Sequence, residues 1–266
     1  MARVRDRALA IIELLASNAG GMLLKDVAET LDIPLSATHR VLADLKDAGY
    51  VRQDGGGERY LLTAKLLTLS ATLVAAAGVT NLIQPSLDRL AETTRELVRV
   101  AAIVDDALVW VARSQGATQG LRFDPSDGTA INLAVTSTGL AWMLCLSDEQ
   151  ALQMVAREGL HPERFGVGTP HSLDEVMTRV RRARDVGYGM VVESSEPGTS
   201  AVSMPILSPI LRRPVGVLNI SGPSVRMTPQ RMETFVAPMR KTADELEGVC
   251  AASPLFSTAR GGDRNA

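Results

Sequence analysis

Between Leu35 and Ala48 the chain sets Ser36, Ala37, Thr38, His39 and Arg40 ahead of Val41, Leu42, Leu45 and Ala48, which repeat at helical spacing. Short hydroxyls, an imidazole and a guanidinium at the start of a helix are groups that meet phosphate oxygens and base edges. Arg52 and Arg59 flank the turn Asp54-Gly55-Gly56-Gly57, and Arg3, Arg5 and Arg7 open the chain. Ser36, Ala37, Thr38, His39, Arg40, Arg52, Arg59 and Arg5 are therefore the predicted contacts to a polyanion. The bland alternative is a small helical subdomain in which His39 and Arg40 only solvate or cap a helix.

The elements that must carry these residues are legible around them. Lys25 to Leu31 forms an amphipathic turn and a half, with Val27, Ala28 and Leu31 on one face. Asp32-Ile33-Pro34 breaks it, because proline disfavours α conformation in the preceding residue and lacks an amide hydrogen. The second helix runs from Leu35 to Ala48 and ends at Gly49, where a left-handed residue is wanted. Tyr50–Gln53 and Glu58–Leu61 then read as the arms of a hairpin. An earlier helix, Arg5 to Ala19, offers Ala8, Leu9, Ile11, Ile12, Leu14 and Leu15 as an apolar face and stops at Asn18-Ala19-Gly20-Gly21. Two short helices joined by a tight turn and followed by a β-wing make a winged helix-turn-helix, which presents its second helix to a DNA major groove.

Charge sets a limit on that reading. The whole chain of 266 residues carries a net charge of −2, and its first 62 residues hold eight Lys and Arg against nine Asp and Glu. Only charges close to phosphates release counterions, so one near-neutral module binds weakly alone. Two modules on one duplex are the natural remedy. Hydrophobic residues make up 45% but aromatics only 3%, so the core is built from Ala, Val, Leu, Ile and Met. No run reaches the roughly 20 apolar residues of a membrane span, and no signal-peptide hydrophobic region opens the chain. Cys145 and Cys250 are too few for a disulfide framework. A cytoplasmic location is the simplest expectation.

Beyond the wing, Thr63 to Gly78 is an Ala- and Leu-rich helix that can join two domains and pair with its copy, or serve as a plain core helix. Leu82 to Thr94 is another helix. Glu96–Val104 and Ala107–Arg113 are β-like runs around Asp105-Asp106, a hairpin pattern. Helices are expected near Ser137–Leu146, Asp148–Glu158 and Leu173–Val186. Strands are expected at Thr199–Leu207 and Val215–Ser221, joined across Arg212-Arg213-Pro214, with a last helix from Pro229 to Val249. This order argues for an α+β domain with a central antiparallel sheet. The expected divisions are 1–62, 63–80, 81–252 and a disordered tail at 253–266.

Taken together, these segments resemble the IclR family of bacterial transcriptional regulators. At the amino end the resemblance lies in Arg7-Ala8-Leu9-Ala10-Ile11-Ile12-Glu13-Leu14-Leu15, Asp26-Val27-Ala28-Glu29-Thr30-Leu31, His39-Arg40-Val41-Leu42 and Gly49-Tyr50-Val51. Further on it lies in Gly128 through Ala141, Gly187-Tyr188-Gly189, Glu193, Gly198, Ala201-Val202-Ser203-Met204-Pro205-Ile206 and Ile220-Ser221-Gly222-Pro223. The resemblance implies a winged helix-turn-helix joined by a helix to a GAF-like effector domain, assembled as a dimer or a dimer of dimers on double-stranded DNA. It also implies a small-metabolite effector, frequently a carboxylate or aromatic acid. Carried over by position, the effector pocket has Leu121 and Phe123 on one wall. Ser137 and Thr138 lie at the start of a helix, and Glu193, Ala201, Asn219 and Ser221 on facing strands. Helix-start amides and hydroxyls would hold a carboxylate there. Leu35, Ala37, Leu140, Ala201 and Asn219 depart from the residues often found at their positions.

Enzymatic signals are poor. The sequence has no G-x-S-x-G elbow and no P-loop, and Gly187-Tyr188-Gly189 is too short for a dinucleotide fingerprint. His161 and His171 lack a partner at metal-ligand spacing, and Cys145 reads as a buried small hydrophobe. No catalytic residue, metal or cofactor is expected. The alternative kept open is an enzyme of small-molecule metabolism with a helical appendage.

Overall fold

A computed structural model describes residues 4–76, 79–104, 106–125, 131–208 and 213–251. The chain divides into two compact units, residues 1–76 and 77–266. In the first, α1 (Val4–Ala16), α2 (Leu24–Thr30) and α3 (Leu35–Asp47) enclose a core of Ile11, Leu15, Val27, Val41, Leu42 and Leu45. Strands β1 (Met22–Leu23), β2 (Val51–Gln53) and β3 (Arg59–Leu62) form a small antiparallel sheet in the order β1-β3-β2. Helix α4 (Lys65–Ala76) closes the unit.

The turn chemistry explains the path. Pro34 stands at the N-cap of α3 in an extended conformation, and Asp32 before it has φ +50°. Gly49, at φ +77°, ends α3 in the left-handed region that the sequence anticipates there. At the hairpin tip the Asp54 carboxylate accepts the backbone N–H groups of Glu58 and Arg59 at 2.9 and 3.2 Å. Those amides, Arg59 foremost, hold its pKa below the usual value. Helix α1 stops three residues earlier than expected: the Asn18 amide turns back to donate to the Leu14 carbonyl at 2.8 Å. Gly21 then takes φ +77°, where a Cβ would lie 2.7 Å from Leu61, and the chain enters the unforeseen strand β1.

The second unit is a five-stranded antiparallel sheet in the order β5-β4-β8-β7-β6. Its strands are β4 (Leu97–Val104), β5 (Ala107–Gln115), β6 (Gly189–Val192), β7 (Thr199–Leu207) and β8 (Pro214–Pro223). Helices α5 (Val79–Thr94) and α9 (Pro229–Ala251) contribute Ile83, Leu87, Met232 and Met239 to one face, where they meet Val98, Val100, Leu218 and Ile220. Helices α6 (Ser137–Met143), α7 (Asp148–Glu158) and α8 (Leu173–Val186) cover the other face, meeting Ala101, Ile103 and Val217. Strand β6 escaped the sequence reading because it is only four residues long, between the Gly187 helix stop at φ +83° and the turn at Glu193. Helix α6 ends at Met143, short of the expected Leu146. The expected disordered tail, Asp105 of the β4–β5 turn, Ala77-Gly78, Gly128 and Arg212 lie outside the described residues.

A buried ion pair joins the residue before β4 to the segment after β8. Glu96 is 1% exposed, and Arg226 grips its carboxylate through Nε at 2.6 Å and Nη2 at 2.9 Å. Arg231 approaches the same carboxylate at 3.7 Å. Removing Arg226 leaves the buried Glu96 charge with only the longer Arg231 contact, and breaking a buried pair is strongly destabilising. Arg226→Met is therefore expected to lower unfolding stability by about 3–5 kcal/mol, measured by urea denaturation. A loss below about 1 kcal/mol, typical of surface pairs, would refute that assignment.

Candidate functional site

Helix α3 divides its side chains cleanly. Val41, Leu42 and Leu45 enter the core, while Ser36, His39 and Arg40 are exposed and Ala37 is half-buried. Thr38 corrects the sequence reading. It is fully buried, and its hydroxyl donates back to the Pro34 carbonyl at 3.2 Å, so it faces the core and cannot reach DNA. Its position, three residues before Val41, puts it on the apolar stripe.

In the hairpin, Val51 and Tyr60 point inward, which sends Arg52 and Arg59 outward. Arg59 is partly committed: its Nη1 donates to the Gly21 carbonyl at 2.9 Å and braces the wing against β1. Arg5 lies in the first turns of α1, and its side chain is outside the described residues.

The second unit brings together Ser137, Thr138 and Asn219, all buried, with Ser203, which sequence reading missed. Ser137 Oγ and Ser203 Oγ are 2.8 Å apart, and Thr138 Oγ1 lies 3.4 Å from Ser203 Oγ. Asn219 Nδ2 donates to Ser203 at 3.0 Å and Ser137 at 3.3 Å. The arrangement follows from register. Arg99 on β4 pairs with Asn219 on β8, and Asn219 with Ser203 on β7, so the three share one face in a cross-strand row. In the next row Ser221 stands between Leu97 and Ala201. On β8 of this face, Asn219 Oδ1 and Ser221 Oγ have no hydrogen-bond partner among the described residues. A buried polar group left so costs about 1–3 kcal/mol.

Helix α6 starts at Ser137, as expected, behind a cap one residue before it. Thr136 is the N-cap, its Oγ1 accepting the Gly139 N–H at 2.9 Å, which frees Ser137 and Thr138 to face the sheet. Gly139 is forced by packing, since a Cβ there would lie 2.2 Å from the Leu133 carbonyl oxygen. The helix is seven residues long, and the Gly139 amide at its start is taken by that cap.

The carried-over walls fare unevenly. Phe123 is half-buried, its carbonyl held by Gln115 Nε2 at 2.9 Å, and its ring lies 5.9 Å from the Arg99 guanidinium. Leu121 is a correction: its side chain is 64% exposed, and its carbonyl accepts from Arg226 Nη1 at 2.6 Å. Ala201 is half-buried against the α6 side of the sheet. Glu193 follows β6 at a left-handed turn, φ +47°, and has no side-chain bond to the polar cluster among the described residues. Arg99 was missed altogether. Its guanidinium stacks on Trp110 at 3.8 Å. The available signal was a lone charge inside the apolar run Leu97–Val104.

Comparisons with known proteins agree over nearly the whole chain. Residues 5–55 match the IclR helix-turn-helix domain, and residues 71–248 match the carboxy-terminal domain of the bacterial transcriptional regulator IclR. The transcriptional repressor IclR of Escherichia coli is 26% identical over 243 residues, covering 90% of this chain and 87% of the relative. An IclR transcriptional regulator from Alicyclobacillus acidocaldarius superposes with a TM-score of 0.78 at 20% identity, over 94% of this chain and 99% of that one. An IclR homologue from Microbacterium hydrocarbonoxydans, crystallised with 4-hydroxybenzoate, superposes with a TM-score of 0.69 at 18% identity, over 92% and 100%. The chain belongs to the IclR family of bacterial transcriptional regulators. Membership in a family of regulators leaves the enzyme alternative without support.

The cysteines fit that conclusion. Burial pushes the Cys145 thiol up to about 11, with Arg184 pulling weakly the other way, and burial pushes Cys250 up to about 12. Both are thus neutral thiols at pH 8, and the thiolate is the nucleophile. Native protein at pH 8 is expected to titrate slowly with a disulfide reagent and to release both equivalents only on unfolding. A fast-reacting native thiol would show that one is activated.

Proposed function

We propose that this protein is a repressor of a catabolic operon, binding a two-half-site operator through α3 and the β2–β3 hairpin and answering to a small carboxylate effector. On this reading residues 1–62 form the DNA-binding module, 63–80 a connecting helix and 81–252 the effector domain, with the protein working beside the chromosome in the cytoplasm. The observation that carries the DNA-binding half is the division of α3, which turns Ser36, His39 and Arg40 out while Val41 and Leu45 anchor it. A helix held so rigidly on one face can lie in a groove without disturbing its own core. The repressing sense is supported by the Escherichia coli relative, itself a repressor.

The effector half rests on the buried hydroxyl–amide cluster with its two unmatched atoms. Ser137, Thr138, Asn219 and Ser221 supply polar partners, and Phe123 supplies an apolar one. An aromatic acid suits that mixture better than a short aliphatic one, and the Microbacterium homologue was crystallised with such an acid.

Arg40→Ala is expected to weaken operator binding without loss of fold, since Arg40 is exposed on the side of α3 away from the core. A lost phosphate contact lowers the salt slope by about one, whereas a lost base contact costs roughly 1–3 kcal/mol and relaxes sequence preference. Fluorescence anisotropy on the DNA flanking the gene, across a salt series, separates the two; unchanged binding removes Arg40 from the interface.

Assembly is the second test. A near-neutral module needs a second copy to hold DNA tightly, and α4 turns Leu67 (74% exposed) and Leu69 (49%) to solvent. Sedimentation at micromolar concentration is expected to give a homodimer or a dimer of dimers. A stable monomer that still binds its operator specifically would overturn this.

A further inference from the structure

We propose that Leu35 reads the 5-methyl group of a thymine in each operator half-site, an apolar base contact at the tip of a helix whose other leading outward residues are polar. This rests on the DNA-binding reading above and specifies one base of the sequence that is recognised. Leu35 is the first residue of α3 and is 53% exposed, while Val41, Leu42 and Leu45 of the same helix are buried. Single exposed leucines are common and need no explanation by themselves; what singles this one out is its place. Residues four apart share a stripe of a helix surface, so Leu35 stands in line with His39, and Ser36 with Arg40 in the row beside it. All four are exposed. The start of the helix is also fixed, since the Pro34 carbonyl accepts the N–H groups of Ala37 and Thr38 at 2.9 and 3.0 Å and Thr38 is fully buried. Leu35 is therefore carried on a backbone held at both ends of its first turn.

Charge decides which end of α3 meets DNA. The first turn holds no acid. The exposed residues further along include Asp44 and Asp47, which phosphates repel, and Lys46 between them is engaged with Gln53 Oε1 at 2.7 Å. The helix therefore enters a groove by its first two turns, the end from which recognition helices touch base edges. Of the four outward residues there, Ser36, His39 and Arg40 have donors or acceptors for base edges and phosphates. Leu35 has neither. Set against a base nitrogen, a carbonyl or a phosphate, it would take water from a polar group and offer no bond in return. The major groove presents one apolar group, the thymine C5-methyl, and that is the partner a leucine satisfies. Leu35 and His39 lie about 5–6 Å apart at Cβ, against about 3.4 Å per base step. The thymine thus lies within two steps of the base that His39 faces.

The test removes the methyl group from the DNA and the leucine from the protein in turn. A duplex is selected from a random pool by the whole chain, and each of its thymines is then replaced singly by deoxyuridine, which keeps base pairing and lacks only the 5-methyl group. Fluorescence anisotropy on the wild type is expected to find one position per half-site where the replacement weakens binding about fourfold, the value of one buried methyl-sized group. Leu35→Ala is expected to bind the thymine and deoxyuridine duplexes alike, within about twofold, and to leave every other thymine as sensitive as before. Alanine is a good helix former, so the melting temperature is expected to be kept. Leu35→Met, apolar and of similar volume, is expected to retain the fourfold difference and guards against an alanine variant that binds no DNA. A selection repeated with Leu35→Ala is expected to lose the thymine at that position alone. If the wild type selects no sequence, the DNA-binding reading itself falls. If it selects one but no thymine is methyl-sensitive, or the sensitivity survives in Leu35→Ala, that reading stands and Leu35 is not the methyl contact. Dissociation of the assembly by Leu35→Ala at unchanged methyl sensitivity would place Leu35 between copies of the chain and likewise overturn the assignment.

Discussion

Strand β8 is buried on both faces from Val215 to Pro223, and that constraint shapes the whole carboxy-terminal unit. A strand so placed normally reads as a continuous apolar run, and on the α5–α9 face it does, with Leu218 and Ile220. The opposite face carries Asn219 and Ser221 instead. Burying an amide is costly unless it finds partners, so Asn219 dictates what stands above it: Ser137 from α6 and Ser203 from β7. Helix α6 is thereby pinned to the sheet by polar bonds as well as by Leu140 and Trp142. Replacing both partners of such a hydrogen bond by apolar groups of the same shape can be nearly neutral or stabilising. The polar row is consequently a specification for something other than stability.

The amino-terminal unit solves the opposite problem. It must expose polar groups from a helix that is otherwise part of a very small core. Pro34 sets the start of α3 and Gly49 its stop, so the inward stripe of Thr38, Val41, Leu42 and Leu45 is fixed in phase. Once that phase is fixed, the outward residues follow without further choice. Arg59 adds a brace, since its bond to the Gly21 carbonyl joins the hairpin to the strand ahead of α2.

How much of this was legible depended on the kind of signal. Helix periodicity, Pro34, Gly49 and the Asp54 turn specify the first unit through neighbours in sequence, and those elements stand where expected. Thr38 was misjudged because its type suited a contact while its phase suited the core; phase wins, since turning Thr38 outward would take Val41 and Leu45 with it. In the second unit the strands were visible, but β6 was too short for alternation to register. Which strands lie side by side is a non-local fact, and the row Arg99–Asn219–Ser203 exists only through the pairing of β4 with β8 and β8 with β7. Family resemblance supplied Ser137, Thr138 and Asn219 but not Ser203 or Arg99. It also supplied Leu121, whose side chain is exposed and whose carbonyl is held by Arg226, a contact across 105 residues of sequence that no local pattern encodes.

The same row bears on how a ligand could act as a switch. A ligand moves an equilibrium between two states only through its difference in affinity for them, and taking a population from 1:99 to 99:1 needs about 5.5 kcal/mol. Apolar contact alone spreads its gain over any shape that fits. Two unmatched buried atoms at about 1–3 kcal/mol each approach that figure from polar terms. These terms depend on geometry, because hydrogen bonds weaken steeply with distance and angle. They are therefore lost in any arrangement that moves α6 or β7 relative to β8. Ser137 and Ser203, the two residues whose hydroxyls Asn219 joins, sit on those very elements. Binding at the row would thus report on the relative position of one helix and two strands, a property that suits the effector site of a ligand-gated regulator.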